Sequence, residues 1–81
     1  MPPALAPIPP IVFKELLEKD GFSVELETEY NWTLCKEAPL TLVITLPKKG
    51  RLVSVTVMMG ILEQIKMNNK TYFDLLKKVK N

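Results

Sequence analysis

The side chains best suited to chemistry in this chain lie in two short stretches, 29–37 and 48–51. The first stretch reads Glu-Tyr-Asn-Trp-Thr-Leu-Cys-Lys-Glu, and the second reads Lys-Lys-Gly-Arg. The chain contains no histidine, which is the side chain that most often transfers protons near neutral pH. Acid–base catalysis would therefore need a carboxylate, a tyrosine or a lysine with a large pKa shift, and no sequence feature signals one.

The single cysteine, Cys35, has no second cysteine for a disulfide and no histidine to activate it. We therefore expect a structural thiol rather than a nucleophile. A zinc site of the Cys/His type is excluded, and the sequence predicts neither a metal nor a cofactor. One unpaired cysteine suits a reducing compartment, so we expect a cytoplasmic protein.

Length and composition indicate one small domain with an uneven distribution of charge. The chain has 81 residues, of which 47% are hydrophobic and 25% are charged, as in ordinary globular domains. No apolar run approaches the roughly 18 residues of a membrane span, so we predict no membrane contact, and no small-molecule substrate is evident. Residues 1–37 carry three lysines and seven acids, net −4, whereas residues 38–81 carry eight basic residues and two acids, net +6. The basic half either attracts phosphate or an acidic protein, or is simply a solvated surface.

Prolines and hydrophobic periodicity divide the chain into a tail and a domain. Five of the seven prolines fall in residues 1–10, which predicts an extended tail over 1–9 and a single domain over 10–81. Apolar residues at helical spacing predict a first helix over 11–20, ended by Gly21. Alternation then predicts a strand from Phe22, with core positions at Phe22, Val24 and Leu26 and solvent positions at Ser23, Glu25 and Glu27.

Two more strands and two helices complete the predicted domain. Strands are expected over 30–37 and 40–46, joined by a turn at 37–39, in an antiparallel meander. Residues 52–66 fit either a strand or a helix capped by Ser54, because period-two and helical spacing both occur there. A last helix is predicted over 70–80, capped by Asn68 or Asn69 and rich in lysine at its end.

The order and spacing of these elements resemble the HicA family of small bacterial ribonuclease toxins. The resemblance covers roughly residues 10–76. It rests on Gly21-Phe22 after the first helix, Pro47 after the third strand, Ile61-Leu62 in the second helix, and Tyr72 with Leu75-Leu76 in the last. It implies a two-layer α+β fold like that of double-stranded-RNA-binding domains: helix, three-stranded antiparallel sheet, helix, short helix. It also favours a helix over 54–66.

The chain departs from the HicA pattern at the residues that carry the family's chemistry. Trp32, or alternatively Asn31, aligns with the catalytic histidine, and Lys49 aligns with a second frequent histidine. A basic residue that commonly follows the first strand falls among three acids, Glu25, Glu27 and Glu29. An indole only donates a hydrogen bond, so Trp32 cannot replace the histidine.

The resemblance therefore predicts a toxin-like domain without catalysis, which binds RNA or a protein partner such as a HicB-like antitoxin. Two alternatives remain open: a toxin of a toxin–antitoxin system that cleaves mRNA with residues other than histidine, and a pure protein-interaction module. Candidate binding residues are two aromatic side chains that could stack on bases and four basic ones that could hold phosphates. They are Tyr30, Trp32, Lys36, Lys48, Lys49 and Arg51. Trp32 could equally be a core residue, and carboxylates on the first strand argue against RNA lying there.

Overall fold

The computed structural model describes residues 4–38 and 40–80 and shows an α+β fold. Helix α1 (Pro10–Lys19) precedes strands β1 (Ser23–Glu27), β2 (Asn31–Lys36) and β3 (Leu42–Pro47), and helices α2 (Val55–Gln64) and α3 (Asn69–Lys80) follow. The strands form one antiparallel sheet in the order β1-β2-β3. None of the helices in these ranges is long and apolar enough to cross a membrane.

Helix α1 begins and ends where its sequence indicates. Pro9 occupies the N-cap and Pro10 the first helical position, where a missing N–H costs nothing. At the other end Gly21 adopts a φ of 106°, which is easy only for glycine, and the Phe22 N–H donates to the carbonyl of Leu17 at 3.1 Å. The predicted helix over 11–20 is thus confirmed to within one residue at each end.

The ambiguous segment 52–66 contains a helix, α2. The Ser54 hydroxyl accepts a hydrogen bond from the Val57 N–H at 3.3 Å, as expected of an N-cap. The following helix α3 is capped by Asn68, whose Oδ1 accepts from the Thr71 N–H at 2.8 Å. Both caps satisfy backbone donors that the first helical turn leaves unpaired.

A single core lies between the helices and one face of the sheet. Its fully enclosed members come from every layer: Phe13, Leu16 and Leu17 of α1, Leu34 and Leu46 of the sheet, Met58 of α2 and Tyr72 of α3. Ile8 also belongs to this core, and its carbonyl accepts a hydrogen bond from the Val53 N–H at 2.7 Å. The segment before α1 is therefore attached to the domain at Ile8, while residues 1–3 lie outside the described ranges.

Two details of the predicted sheet are wrong. Strand β3 begins at Leu42 rather than Leu40; of the predicted turn, Pro39 lies outside the described residues. Leu26 was expected in the core but is 58% exposed. The cause is an irregularity in the pairing of β1 with β2 between Val24 and Leu26, which reverses the side-chain alternation beyond it.

Candidate functional site

The turn between β1 and β2 determines which side chains meet at this end of the sheet. The Thr28 N–H donates to the carbonyl of Asn31 at 2.8 Å, and the Thr28 hydroxyl accepts from the N–H groups of Tyr30 and Asn31. This tight turn pairs Glu27 with Trp32. Farther from the turn, Val24 pairs with Leu34, so the register there is shifted by one residue relative to the Glu27–Trp32 pair. A bulge at Glu25 reconciles the two registers.

The bulge places Glu27 on the helix-covered face of the sheet, beside Trp32. The prediction that Glu25 and Glu27 share one solvent face is therefore wrong, because the alternation reverses between them. Glu27 accepts a hydrogen bond from the Lys48 ammonium at 2.6 Å. The same ammonium donates to the Thr28 carbonyl at 3.0 Å and lies 5.4 Å from the centre of the Trp32 ring.

Lys49 is held in a second, more exposed arrangement on the turn. Its ammonium lies 3.5 Å from a carboxylate oxygen of Glu29 and 4.3 Å from the centre of the Tyr30 ring. A cation at this distance from an aromatic ring is attracted by the ring's quadrupole. We call the group formed by Glu27, Glu29, Tyr30, Trp32, Lys48 and Lys49 the hairpin cluster.

Trp32 is a core residue, as the alternative interpretation of the sequence expected. Only 7% of its surface is exposed, and Lys14 of α1 lies 5.4 Å from the ring on the helix side. Little of the indole is left for a base to stack on. Tyr30 is the exposed aromatic residue of the hairpin cluster.

Two of the six candidate binding residues do not join this cluster. Lys36 lies at the far end of β2, where its ammonium pairs with Asp20 at 3.1 Å and lies 5.7 Å from the Phe22 ring. Lys36 is four residues beyond Trp32 on β2, and successive strand residues rise about 3.4 Å. The backbone of Lys36 is therefore well over 10 Å from that of Trp32 in the hairpin cluster. Arg51 is exposed in the segment before α2 and makes no ion pair with the described part of the chain.

The electrostatics of the hairpin cluster do not favour proton transfer near neutral pH. The hydrogen bond and charge of Lys48 lower the pKa of Glu27 from its ordinary value of 4.5, with smaller contributions from Trp32 and Lys14. A depressed carboxyl pKa makes a poor general base. The other clear shift belongs to Tyr72 in the core, whose pKa is raised by burial. No group of three or more metal-ligating side chains occurs within 4–38 and 40–80.

The opposite face of the sheet has no charged residue at its paired positions and one carboxylate at its β1 edge, Glu25 of the bulge, which accepts a hydrogen bond from the Ser23 hydroxyl at 3.3 Å. We call this surface the open face. Its exposed apolar side chains are Leu26 and Val43, which is 50% exposed, and the half-buried Cys35 lies beside Val43 on the neighbouring strand. The full set of paired positions is Ser23, Leu26, Asn31, Thr33, Cys35, Val43, Thr45 and Pro47. In a chain that is 25% charged, such a surface is suited to contact with an uncharged surface of another molecule.

Both outer strands of the sheet carry features that discourage pairing with another strand. Gln64 of α2 donates its side-chain N–H to the carbonyl of Val43 at 3.2 Å, which occupies an acceptor on the free edge of β3. Pro47 ends that strand and has no N–H to offer. The other edge, β1, is short, charged and bulged. Contact through the open face is therefore easier than addition of a strand.

The chain matches no protein-family model, no curated protein and no solved structure. Its function is therefore inferred from the geometry and charge of the hairpin cluster and the open face.

Proposed function

We propose that this protein is a HicA-like domain that lacks the family's catalysis and binds a protein partner. The observation that carries the proposal is the pairing of Lys48 with Glu27 and of Lys49 with Glu29. These pairs lie where the resemblance assigns the catalytic histidines, at Trp32 or Asn31 and at Lys49. They give each lysine of the hairpin cluster a carboxylate partner, and the cluster contains no histidine.

The absence of catalysis follows from what RNA cleavage requires. Without a metal, one group must remove the 2′-hydroxyl proton and another must protonate the leaving oxygen. The Lys48 ammonium donates a hydrogen bond to the Glu27 carboxylate at 2.6 Å and lowers the pKa of that carboxyl below its ordinary value of 4.5. A carboxylate whose pKa is lowered holds a proton only weakly, so Glu27 is a poor base for the 2′-hydroxyl near neutral pH.

RNA binding is also disfavoured at this position. Phosphate contacts supply most of the sequence-independent affinity for nucleic acid, and here each lysine of the hairpin cluster already has a carboxylate partner. Phosphate would have to displace that carboxylate or approach it closely. Tyr30 is exposed, but the Lys49 ammonium lies over its ring, so base stacking would require Lys49 to move.

A protein partner fits the open face better. With about 4.8 Å between strands and about 3.4 Å per residue, the face measures roughly 300 Å². A stable interface covers about 800 Å² on each partner, so the open face would form the mainly uncharged centre of a larger contact with a polar rim. The HicA resemblance suggests a HicB-like antitoxin as the occupant.

The test begins with whether the neighbouring gene encodes a HicB-like protein, and continues with calorimetric titration of the purified chain with that protein. Val43→Glu places a charge at the most exposed apolar position on the β3 side of the open face and should weaken binding at least about tenfold, or about 1.4 kcal/mol. Ile11→Glu is the matched control, because Ile11 is also about half exposed but lies on α1. Equal binding by wild type and Val43→Glu would refute the open face as the docking surface. The lack of such a neighbouring protein, or of binding to it, would refute a HicB-like partner.

A further inference from the structure

The outward side of α2 is apolar although it faces solvent. Val57 is 39% and Met59 55% exposed, and Leu52 in the segment before the helix is about half exposed. No charged residue occurs from Leu52 to Leu62, and Glu63 in the last turn is the only charged residue of α2. A surface helix normally directs charged and polar residues outward, so a second molecular surface is expected to cover this side.

Gly60 lies on the outward side of the same helix, where packing within the described part of the chain does not explain the choice of glycine. A Cβ at this position would meet no atom of the described residues within 4 Å outside its own helix, so close packing within the described part of the chain does not require a glycine. Glycine inside a helix costs about 1 kcal/mol relative to alanine. Its effect here is to leave a shallow depression between Val57 and Met59, with Thr56 one turn before it, into which another helix could pack closely.

We propose that α2 packs against α2 of a second copy of this chain, with the two helices antiparallel. The charges at the ends of the helix select this occupant and this orientation. Arg51 precedes the helix, and Glu63 lies in its last turn. Neither side chain forms an ion pair or hydrogen bond with the described residues. An antiparallel arrangement brings Arg51 of each copy towards Glu63 of the other, which makes two ion pairs per dimer.

Two-fold symmetry also fits the uncharged residues between these ends. With the axis passing level with Met58, Thr56 of one copy faces Gly60 of the other, and each exposed apolar side chain, Val57 or Met59, meets its own copy. Such a two-fold contact is closed, so it yields a dimer rather than a fibre. A single ten-residue helix covers much less than the roughly 800 Å² per partner of a stable interface. The dimer should therefore be weak and should dissociate on dilution.

Sedimentation equilibrium of the full chain from about 10 μM to about 1 mM tests the dimer, since weak contacts dissociate in this range. The wild type should pass from monomer to dimer, whereas Gly60→Glu should remain monomeric. This variant should fold, because Glu is a better helix former than Gly and has open space around it; circular dichroism checks this. Ile11→Glu, with its charge on α1, should dimerise like the wild type. A wild type that is monomeric throughout, or a Gly60→Glu variant that still dimerises, would overturn the proposal.

Charge reversal tests the antiparallel orientation separately. Arg51→Glu and Glu63→Arg should each weaken association about fivefold, since two exposed ion pairs are lost. The double variant Arg51→Glu/Glu63→Arg should recover wild-type association, because the pairs re-form with opposite sign. If the double variant associates as weakly as the single variants, or if the single variants associate like the wild type, the pairing of Arg51 with Glu63 is wrong.

Discussion

Glu27 and Trp32 are cross-strand partners on the helix-covered face of the sheet, with the Lys48 ammonium in contact with both. This relationship exists because of the bulge between Val24 and Leu26. Without the bulge, the alternation of β1 would direct Glu27 to the open face, away from Trp32. The Lys48 ammonium could then contact either the Glu27 carboxylate or the Trp32 ring, but not both. The bulge therefore brings the carboxylate to the lysine and compensates its charge.

Replacing Lys48 with Met should raise the pKa of Glu27 towards its ordinary value of 4.5. The carboxylate loses its hydrogen-bonded ammonium and the favourable charge interaction. An NMR titration of the side-chain carboxyl carbon measures the change. Lys49→Met is the control: its partner is Glu29, so the pKa of Glu27 should not change. A shift of equal size in both variants would contradict the assignment of Lys48 as the cause.

The same variant should change how stability depends on pH. A carboxyl group with a depressed pKa in the folded state contributes stability above its unfolded pKa, and this contribution is lost as the pH falls through the folded value. In the wild type, the contribution of Glu27 is therefore complete above about pH 4.5 and declines below it. Urea unfolding of Lys48→Met should show a shallower decline in that acidic range. An unchanged decline would show that Glu27 does not contribute.

Trp32→His should destabilise the fold without producing a ribonuclease. Although this substitution restores a histidine at a position suggested by the HicA resemblance, it replaces a ring that is 7% exposed in the core. We expect a loss of about 2–4 kcal/mol in the free energy of unfolding. Asn31→His, at the half-buried neighbouring position, should stay within about 0.5 kcal/mol of wild type. Denaturant unfolding compares the two, and equal stability would show that Trp32 is not packed as described.

Tyr72→Phe should preserve or increase stability. The Tyr72 hydroxyl is buried without a hydrogen-bond partner among residues 4–38 and 40–80, and an unpaired buried polar group costs about 1–3 kcal/mol. The ring itself makes edge contacts with Phe13 and Phe73, which phenylalanine retains. Burial raises the pKa of Tyr72 above 10.0, so the wild type should lose stability as the pH rises beyond that value. Thermal unfolding at neutral and alkaline pH should show that Tyr72→Phe does not lose stability in this way. If Tyr72→Phe is strongly destabilised at neutral pH, the Tyr72 hydroxyl has a hydrogen-bond partner and the prediction is wrong.

Lys66→Gly should stabilise the end of α2. Lys66 has a φ of 57°, and the Met67 N–H donates to the carbonyl of Leu62 at 2.9 Å, the arrangement of a helix end that favours glycine. Removing the unfavourable backbone conformation should gain about 0.5–1 kcal/mol. Lys66→Ala removes the same charge but keeps a Cβ, so its stability should change little. Urea unfolding measures the stability of both variants. If Lys66→Gly and Lys66→Ala are equally stable, the positive φ of Lys66 is not the cause of the lost stability.

Much of the fold could be predicted because its signals are local. Gly21 ended α1 as expected, and alternation identified β2 and its buried Trp32 and Leu34. Local patterns left residues 52–66 undecided, since period two and helical spacing were both present. The helix there is confirmed by the Ser54 cap and by burial of Met58 and Leu62.

The candidate site was harder to predict because it depends on pairing between strands. The sequence of β1 alternates regularly, so nothing within it signals the bulge, which arises from the tight turn at Thr28 and the register of Val24. Consequently the sequence could indicate Lys48 and Lys49 as exposed cations but not their pairing with Glu27 and Glu29. One clue is that Glu27 and Glu29 are two residues apart and Lys48 and Lys49 are adjacent. This spacing becomes informative only once the strands are aligned.

The most direct test of the central claim is incubation of labelled RNA with the purified protein at about 20 mM salt, where phosphate contacts are strongest. Anisotropy reports binding, and gel electrophoresis reports cleavage. We predict that the wild type leaves the RNA intact and unbound. Glu27→Gln/Glu29→Gln should gain binding by freeing the two lysines, whereas Glu15→Gln/Glu37→Gln, an equal charge change at exposed acids, should not. RNA cleavage by the wild type, or RNA binding that is lost in Lys48→Ala/Lys49→Ala, would contradict the account.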